Sequence, residues 1–375
     1  MKKTKKSKSG NEFEPFIEIG LGYNSNLFQS PKTIIGSSTY GTQRDLVKND
    51  NFQMYAAGLN YLKKIDKQNR FKMDYRYETE KYSSFNIMDN SSHDLHLDYR
   101  QKRSKNQVLK IEADYEEHNK NETNIMGDEY NQKYSYKEYR LSPTFTQKFA
   151  SGIVSPRSGK TSILLTLKAK QKDYEEPLAP TESLDYTQYS GLILLTQPLS
   201  DSLKLKLGFD YRSRIYLNDT AKSWSGSDAQ NEKRNQIYRI YRVGLKKKIN
   251  KKSQIKINYK KWYRIDLYDG YYTYNSQIYE VDLKYGISTK TYLTFDFEYE
   301  SRHYEKQVVT IIGLPLLEYG YYDVTVGFLT EIMPYADLEF EYRLDRRDAT
   351  DEVESSLYER SYTGDRFFLG LHAHF

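Results

Sequence analysis

From Glu12 to the carboxy terminus, apolar side chains recur at every second position in one run after another. Leu203, Leu205, Leu207, Phe209 and Tyr211 alternate with Lys204, Lys206, Gly208 and Asp210. Phe71, Met73, Tyr75 and Tyr77 alternate with Lys72, Asp74, Arg76 and Glu78. A strand has a side-chain period of two, so each run reads as a strand with one greasy and one polar face. About sixteen such runs follow in succession, from Glu14–Tyr23 and Asn51–Ile65 to Tyr362–Phe375. Two are less regular. Pro143 removes a ladder donor from the run through Tyr139, Leu141 and Phe145, and Tyr189–Thr196 is too evenly apolar to assign a face.

The connections alternate in length. Short ones fall near Lys64–Asn69, Arg103–Asn106, Ser200–Asp201, Asn250–Lys251, Ser288–Lys290 and Met333–Pro334. Long ones include Asn24–Asp50, Glu117–Ser135, Asp173–Asp185, Leu217–Arg234 and Arg347–Ser361. About sixteen strands exceed one sandwich, and a sandwich gives no reason for this alternation. Inverting the architecture accounts for both: an all-β, closed antiparallel transmembrane barrel puts its apolar face on lipid and its charged face in a wet interior. Closure removes the strand edges that a bilayer does not tolerate. The expectation is a barrel over residues 12–375 behind a flexible basic tail, residues 1–11, with both termini on the periplasmic side.

Composition narrows the classes further. Hydrophobic residues make up 38% of the chain and mean hydropathy is −0.85, too polar for helical spans of ~18–20 residues. Aromatic content is 15%, with 38 Tyr against 2 Trp, and girdles of amphipathic rings at both interfaces of a barrel account for such a surplus. Cysteine is absent, which excludes thiol chemistry and disulfides. Five lysines in Met1–Gly10 supply most of the net charge of +6. That tail shows no apolar stretch of the secretory kind.

In the last run, Phe367, Leu369, Leu371, Ala373 and Phe375 share one face. A terminal Phe preceded by alternating apolar residues resembles the carboxy-terminal signal of bacterial outer-membrane β-barrels, which the barrel-assembly machinery reads. Residues 20–31 run GLGYNSNLFQSP. This stretch resembles the opening strand of porin-like barrel proteins, especially the putative porins of exopolysaccharide gene clusters, and more weakly the barrel half of surface-lipoprotein assembly modifiers. The resemblance implies an outer-membrane location, contact with lipid and passage of small solutes or a polysaccharide. No PEFGG-like constriction-loop motif of general porins is found in Glu117–Ser135.

The polar faces carry the candidate chemistry. Lys204, Lys206, Arg212, Arg242, Lys246, Lys256, Lys260 and Arg264 form a basic pore-lining set. Asp296, Glu298, Glu300, Asp337, Glu339 and Glu341 form an acidic one. Two walls of opposite sign set a transverse field that selects solutes; the plain alternative is that water-facing positions need only be polar. The apolar connection Glu305–Gly320 reads either as an inward plug or as strand extensions through Val308–Ile312 and Leu316–Leu317. His93 and His96, beside Ser91, Ser92, Asp94 and Asp98, are the best local cluster for catalysis, with His96–Asp98 read as a hydrogen bond within the lumen. His372 and His374 are two ligands and not a metal site. Interleaved Lys and Tyr, as at Tyr259–Tyr263, alternate faces and need not form a nucleic-acid patch. The reading is therefore a porin-like channel or an export conduit for an envelope polymer, with no enzymatic activity, cofactor, metal or nucleic-acid partner. The alternative is an occluded barrel whose loops Asn24–Asp50 and Glu117–Ser135 dock surface partners. Oligomeric state is not legible.

Overall fold

The computed structural model describes residues 11–26, 48–122, 132–133, 135–149, 159–174, 185–222, 228–308, 316–349 and 361–375. The alternating runs form β1 (Asn11–Asn24), β2 (Asp50–Lys64), β3 (Asn69–Tyr82), β4 (Asn90–Lys102) and β5 (Gln107–Asn119). Two short strands, β6 (Asn121–Glu122) and β7 (Gln132–Lys133), pair only with each other. There follow β8 (Tyr136–Lys148), β9 (Ser162–Tyr174), β10 (Tyr186–Pro198), β11 (Leu203–Lys222), β12 (Asp228–Lys248) and β13 (Gln254–Asp266). The chain ends with β14 (Tyr274–Gly286), β15 (Thr291–Val308), β16 (Leu316–Met333), β17 (Ala336–Ala349) and β18 (Tyr362–His374). Apart from β6 and β7, each strand pairs antiparallel with its sequence neighbours and β18 returns to β1, closing a barrel of 16 strands. The expected fold class is the one found.

Side-chain capping sets the short turns. Asp66 accepts from the backbone N–H of Gln68 at 2.6 Å and Asn69 at 2.8 Å. The Asn69 side chain and these amides hold its carboxyl below the usual range. Asn250 caps Lys252 and Ser253 in the same way, both at 2.8 Å. Connection 149–161 lies at this end and departs from the length alternation. The tail, most of Asn24–Asp50 and Glu117–Ser135, and 309–315 of the apolar connection lie outside the described residues. Val308 and Leu316 are register partners, so the strands extend as far as those two residues.

Register decides which face is which. Leu21 is opposite Leu369 and Ile19 opposite Leu371, and Leu21 is 61% exposed and Leu369 50%. Tyr259, Tyr279, Tyr299 and Tyr322 are successive partners across four strands, with ring centroids 5.2, 6.3 and 4.7 Å apart. A protein dissolved in water would hide this face; hydrocarbon and its interfaces accept it. The other face is concave, because contacts there skip strands. Arg366 on β18 pairs with Glu80 on β3, and Arg76 on β3 reaches Glu18 on β1 at 3.0 Å. On β10 the unassigned run resolves by register: Leu194 faces Leu164 inside, while Tyr189 and Ile193 are exposed outside.

One sector of the concave face is apolar, which the alternation did not foretell. Phe52, Met54, Ala56, Tyr82 and Phe368 are buried together with Met88. Met88 closes a 3-10 turn, Asn86–Met88, in the connection between β3 and β4. That connection is pinned inward by Asp50, which accepts from Ser84 N–H at 2.8 Å and Phe85 N–H at 2.9 Å. Glycines let the rings lie flat on the wall. A Cβ on Gly22 would stand 2.1 Å from the Phe52 ring, and one on Gly58 would stand 2.3 Å from the Tyr75 carbonyl oxygen.

Gly58→Val should therefore cost about 2 kcal/mol or more, read as a lower denaturant midpoint and loss of heat-modifiable gel migration. Gly191→Ala, whose Cβ meets only Leu167 at 3.8 Å, should change neither. Asp50→Ala should free the pinned connection. With cysteine absent from the chain, Met88→Cys provides a single thiol, and maleimide should label it about tenfold faster in the Asp50→Ala background, given two lost hydrogen bonds to a carboxylate.

Candidate functional site

The strands bring the basic residues onto neighbouring positions of the concave face. Lys204, Lys206 and Arg212 lie on β11, Arg242 and Lys246 on β12, and Lys256, Lys260 and Arg264 on β13. Lys204 is opposite Lys246, and Lys246 opposite Lys256. The acidic residues Asp296, Glu298 and Glu300 lie on β15, and Asp337, Glu339 and Glu341 on β17, again on the concave face. The sets extend beyond the residues singled out from the sequence. Lys168, Lys170 and Lys172 on β9 join the basic arc. Glu280 and Asp282 on β14 and Asp323 on β16 join the acidic one. Glu280, Glu298, Asp323 and Asp345 are successive register partners across four strands. Parity alone would have found Lys168, Glu280, Asp282 and Asp323, since each stands between two outward apolar or aromatic positions.

Neutralisation is uneven. Buried Asp210 accepts from Arg212 and Arg242, each at 2.7 Å. At the border of the two arcs Lys260 pairs with Glu280, and Lys256 lies 3.3 Å from Asp282. Arg302 is 3.0 Å from Glu300. Among the described residues Lys204, Lys206, Lys246, Arg214 and Arg264 make no ion pair, nor do Asp296, Glu298, Asp337, Glu339 and Glu341. Like charges in register destabilise a sheet unless water screens them.

A second population of tyrosines, missed from sequence because every Tyr was read as a bilayer-interface ring, points inward at the long-connection end. Tyr186 packs on Tyr216 at 5.7 Å and Tyr274 on Tyr304 at 5.2 Å. Cations cover these rings: Lys172 lies 3.2 Å over Tyr136, Arg214 4.2 Å over Tyr186, Arg234 4.3 Å over Tyr216 and Arg264 4.2 Å over Tyr274. One register row reads Arg212, Tyr238, Arg264, Tyr274, Tyr304. Burial pushes the Tyr272 hydroxyl, in the connection above this row, up to about 12, so it stays neutral beneath Arg234, which lies 3.8 Å over its ring.

The histidine cluster is taken apart. His93 faces outward, 2.9 Å from the Tyr75 hydroxyl, while His96 faces inward with Nδ1 2.6 Å from Asp114. Arg140 donates to the same carboxylate at 2.8 Å. The expected His96–Asp98 pair is thus replaced by a cross-strand one, because Asp114 is the register partner of His96 whereas Asp98 is drawn to Lys110 at 3.5 Å. His372 and His374 meet edge-on with ring centroids 5.6 Å apart. No group of three metal-ligating side chains occurs among the described residues.

No family model matches the chain, and no curated protein matches its sequence. Among solved structures it is similar to a loop L8 deletion mutant of OmpT, an outer membrane protein of Vibrio cholerae, at 9% identity and TM-score 0.49, covering 97% of this chain and 99% of that one. It is similar to the toluene transporter TodX of P. putida at 11% identity and TM-score 0.36, covering 98% and 90%. It is also similar to CdiB of Acinetobacter baumannii at 9% identity and TM-score 0.47, covering 96% and 60%. The sequence reading excluded an enzyme; the similarity to OmpT overturns that exclusion, and at 9% identity it assigns no activity in its place. Greasy outside, ionised inside and closed on itself, the chain has the architecture of an outer-membrane β-barrel.

Proposed function

We propose that the chain is a passive outer-membrane channel for small charged solutes, with the short turns and both termini on the periplasmic side. The observation that carries this reading is the set of inward cations and carboxylates without ion-pair partners. Lys204, Lys246, Asp296 and Glu298 make no ion pair among the described residues, the nearby Lys256 and Lys260 being engaged by Asp282 and Glu280, and an unpaired charge in a dry interior costs several kcal/mol or more. Water must therefore fill the interior, and barrels of about sixteen strands are wide enough to hold a column of it.

The basic arc of β9–β13 and the acidic arc of β14–β17 then serve as the two walls of a transverse field. An export conduit for a polymer is the second reading, supported by the resemblance carried by Gly20–Pro31. The basic tail expected over residues 1–11 gives way to the barrel at Asn11, the first residue of β1. The outward ladder of Phe367, Leu369, Leu371, Ala373 and Phe375, the last 72% exposed, is the segment offered to the barrel-assembly machinery.

Purified protein should give discrete conductance steps in planar bilayers; a heat-modifiable barrel that gives none would favour the docking alternative. Replacing Asp296, Glu298, Glu300, Asp337, Glu339 and Glu341 by Asn or Gln should shift the permeability ratio toward anions by about severalfold. An unchanged reversal potential would leave the channel and retire the field.

A further inference from the structure

The outer half of the basic arc differs in kind from its lower half. Near the short turns, Lys204, Lys206 and Lys246 are free-standing lysines. Near the long connections, Arg214 and Arg264 are held by tyrosine rings and not by carboxylates. Arg214 lies 4.2 Å from the Tyr186 ring and 5.1 Å from that of Tyr238. It donates to Gln188 Oε1 from Nε at 3.2 Å and Nη2 at 3.0 Å, and to the Tyr216 hydroxyl from Nη1 at 3.3 Å. A guanidinium carries five N–H donors, so two stay unused. Arg264 lies 4.2 Å over Tyr274 and donates from Nε to the Tyr272 carbonyl at 2.7 Å, leaving both terminal nitrogens unengaged. Stacking immobilises the planar fork while its charge stays uncancelled and its in-plane donors stay unspent. That is the preorganised form in which Arg binds oxyanions bidentately.

Spacing gives the shape of the partner. Lys168 on β9 and Arg264 on β13 share a register row with Arg212, and Arg214 on β11 stands two residues further along its strand. With strands about 4.8 Å apart and about 3.4 Å per residue, the uncancelled cations recur in a zigzag at roughly 12 Å. Such a row suits an elongated polyanion better than a single ion. Gln188 and Ser190 stand between the cations on β10 and add neutral hydrogen-bonding groups. Cations lie over the rings of Tyr186, Tyr216 and Tyr274, so those faces are not offered to a nucleobase for stacking.

We propose that this wall, with Arg214 and Arg264 at its centre, is a binding track for an extended, hydroxyl-rich polyanion, an acidic oligosaccharide. The inference rests on the water-filled interior of the channel reading and names its solute class. Titration calorimetry on the protein in detergent micelles needs no open pore. A barrel that conducts but does not bind would sink this proposal alone, and one that binds without conducting would sink passive passage alone.

Trigalacturonate should bind saturably and maltotriose at least about tenfold more weakly, since it lacks the carboxylates. Arg214→Gln and Arg264→Gln should each weaken trigalacturonate about tenfold, the worth of one charge-assisted hydrogen-bonded pair. Lys204→Gln, near the short turns and ten residues along β11 from Arg214, should change it less than about twofold, because a charge so far away across water is screened. Arg264→Lys should recover part of the loss, keeping charge without the fork, and gives the same readout if Arg214→Gln fails to fold. The proposal is overturned if Lys204→Gln weakens binding as much as the arginine variants. It is equally overturned if tripolyphosphate or an oligothymidylate binds as tightly as trigalacturonate, or if maltotriose does.

Discussion

A bilayer supplies no hydrogen bonds to an exposed backbone, so a strand-built span must close on itself. In this chain closure falls on β1 and β18, and the ladder there runs from Phe16–His374 to Asn24–Arg366, shorter than the Asn11–Asn24 run that β1 makes with β2. The joint is reinforced beyond its ladder. Ser25 donates from its backbone to the Asp365 carbonyl at 2.8 Å and accepts the Asp365 N–H on its hydroxyl at 2.7 Å. At the other end the Phe375 N–H reaches the Pro15 carbonyl at 3.0 Å. Inside, the Phe368 ring occupies the space that side chains on Gly20 and Gly370 would need. The apolar inner sector and the pinned connection between β3 and β4 lie beside this closure. The joint with the short ladder is thus backed by an apolar cluster on its inner face.

Closure also fixes where charge goes. With lipid outside, most charged residues at spanning positions are turned onto the concave face, with Arg239 and Lys261 among the exceptions, and curvature brings residues of non-neighbouring strands together there. Glu80 meets Arg366 and Glu18 meets Arg76 by this route. In the mixed arc from β1 to β8, charges of both signs alternate and largely cancel, as in the His96–Asp114–Arg140 chain. From β9 to β17 they segregate. Cancellation stabilises the wall locally, whereas segregation leaves an excess of one sign on each arc.

The barrel was legible because a period of two is a short-range signal that survives in every strand. The faces of Leu203–Tyr211 and of Phe367–Phe375 follow from parity alone. What parity does not carry is the neighbour across the ladder. His96 was paired with Asp98 because both lie on one strand, yet its partner is Asp114, one strand away and 18 residues on. The inner tyrosines were hidden differently. Tyr216, Tyr238 and Tyr274 occupy the polar parity of their strands, but the abundance of Tyr invited one explanation for all of them. The inward Phe52 and Met54 escaped because an apolar residue of polar parity reads as noise until Met88 is seen packed upon it.

The two ways in which this barrel holds its arginines separate stability from function. Arg212 and Arg242 share Asp210, so the group that positions them also cancels part of their charge. Arg214 and Arg264 are held by rings and neutral acceptors. A cation on a ring face gains about 0.5–2 kcal/mol, of the same order as a charge-assisted hydrogen bond, but the quadrupole that attracts it carries no net charge. Rigidity is obtained while the positive potential persists. Selection for stability alone would accept a carboxylate beside either arginine. Tyrosine in that place makes sense if the charge itself is wanted, fixed in position on the inner wall.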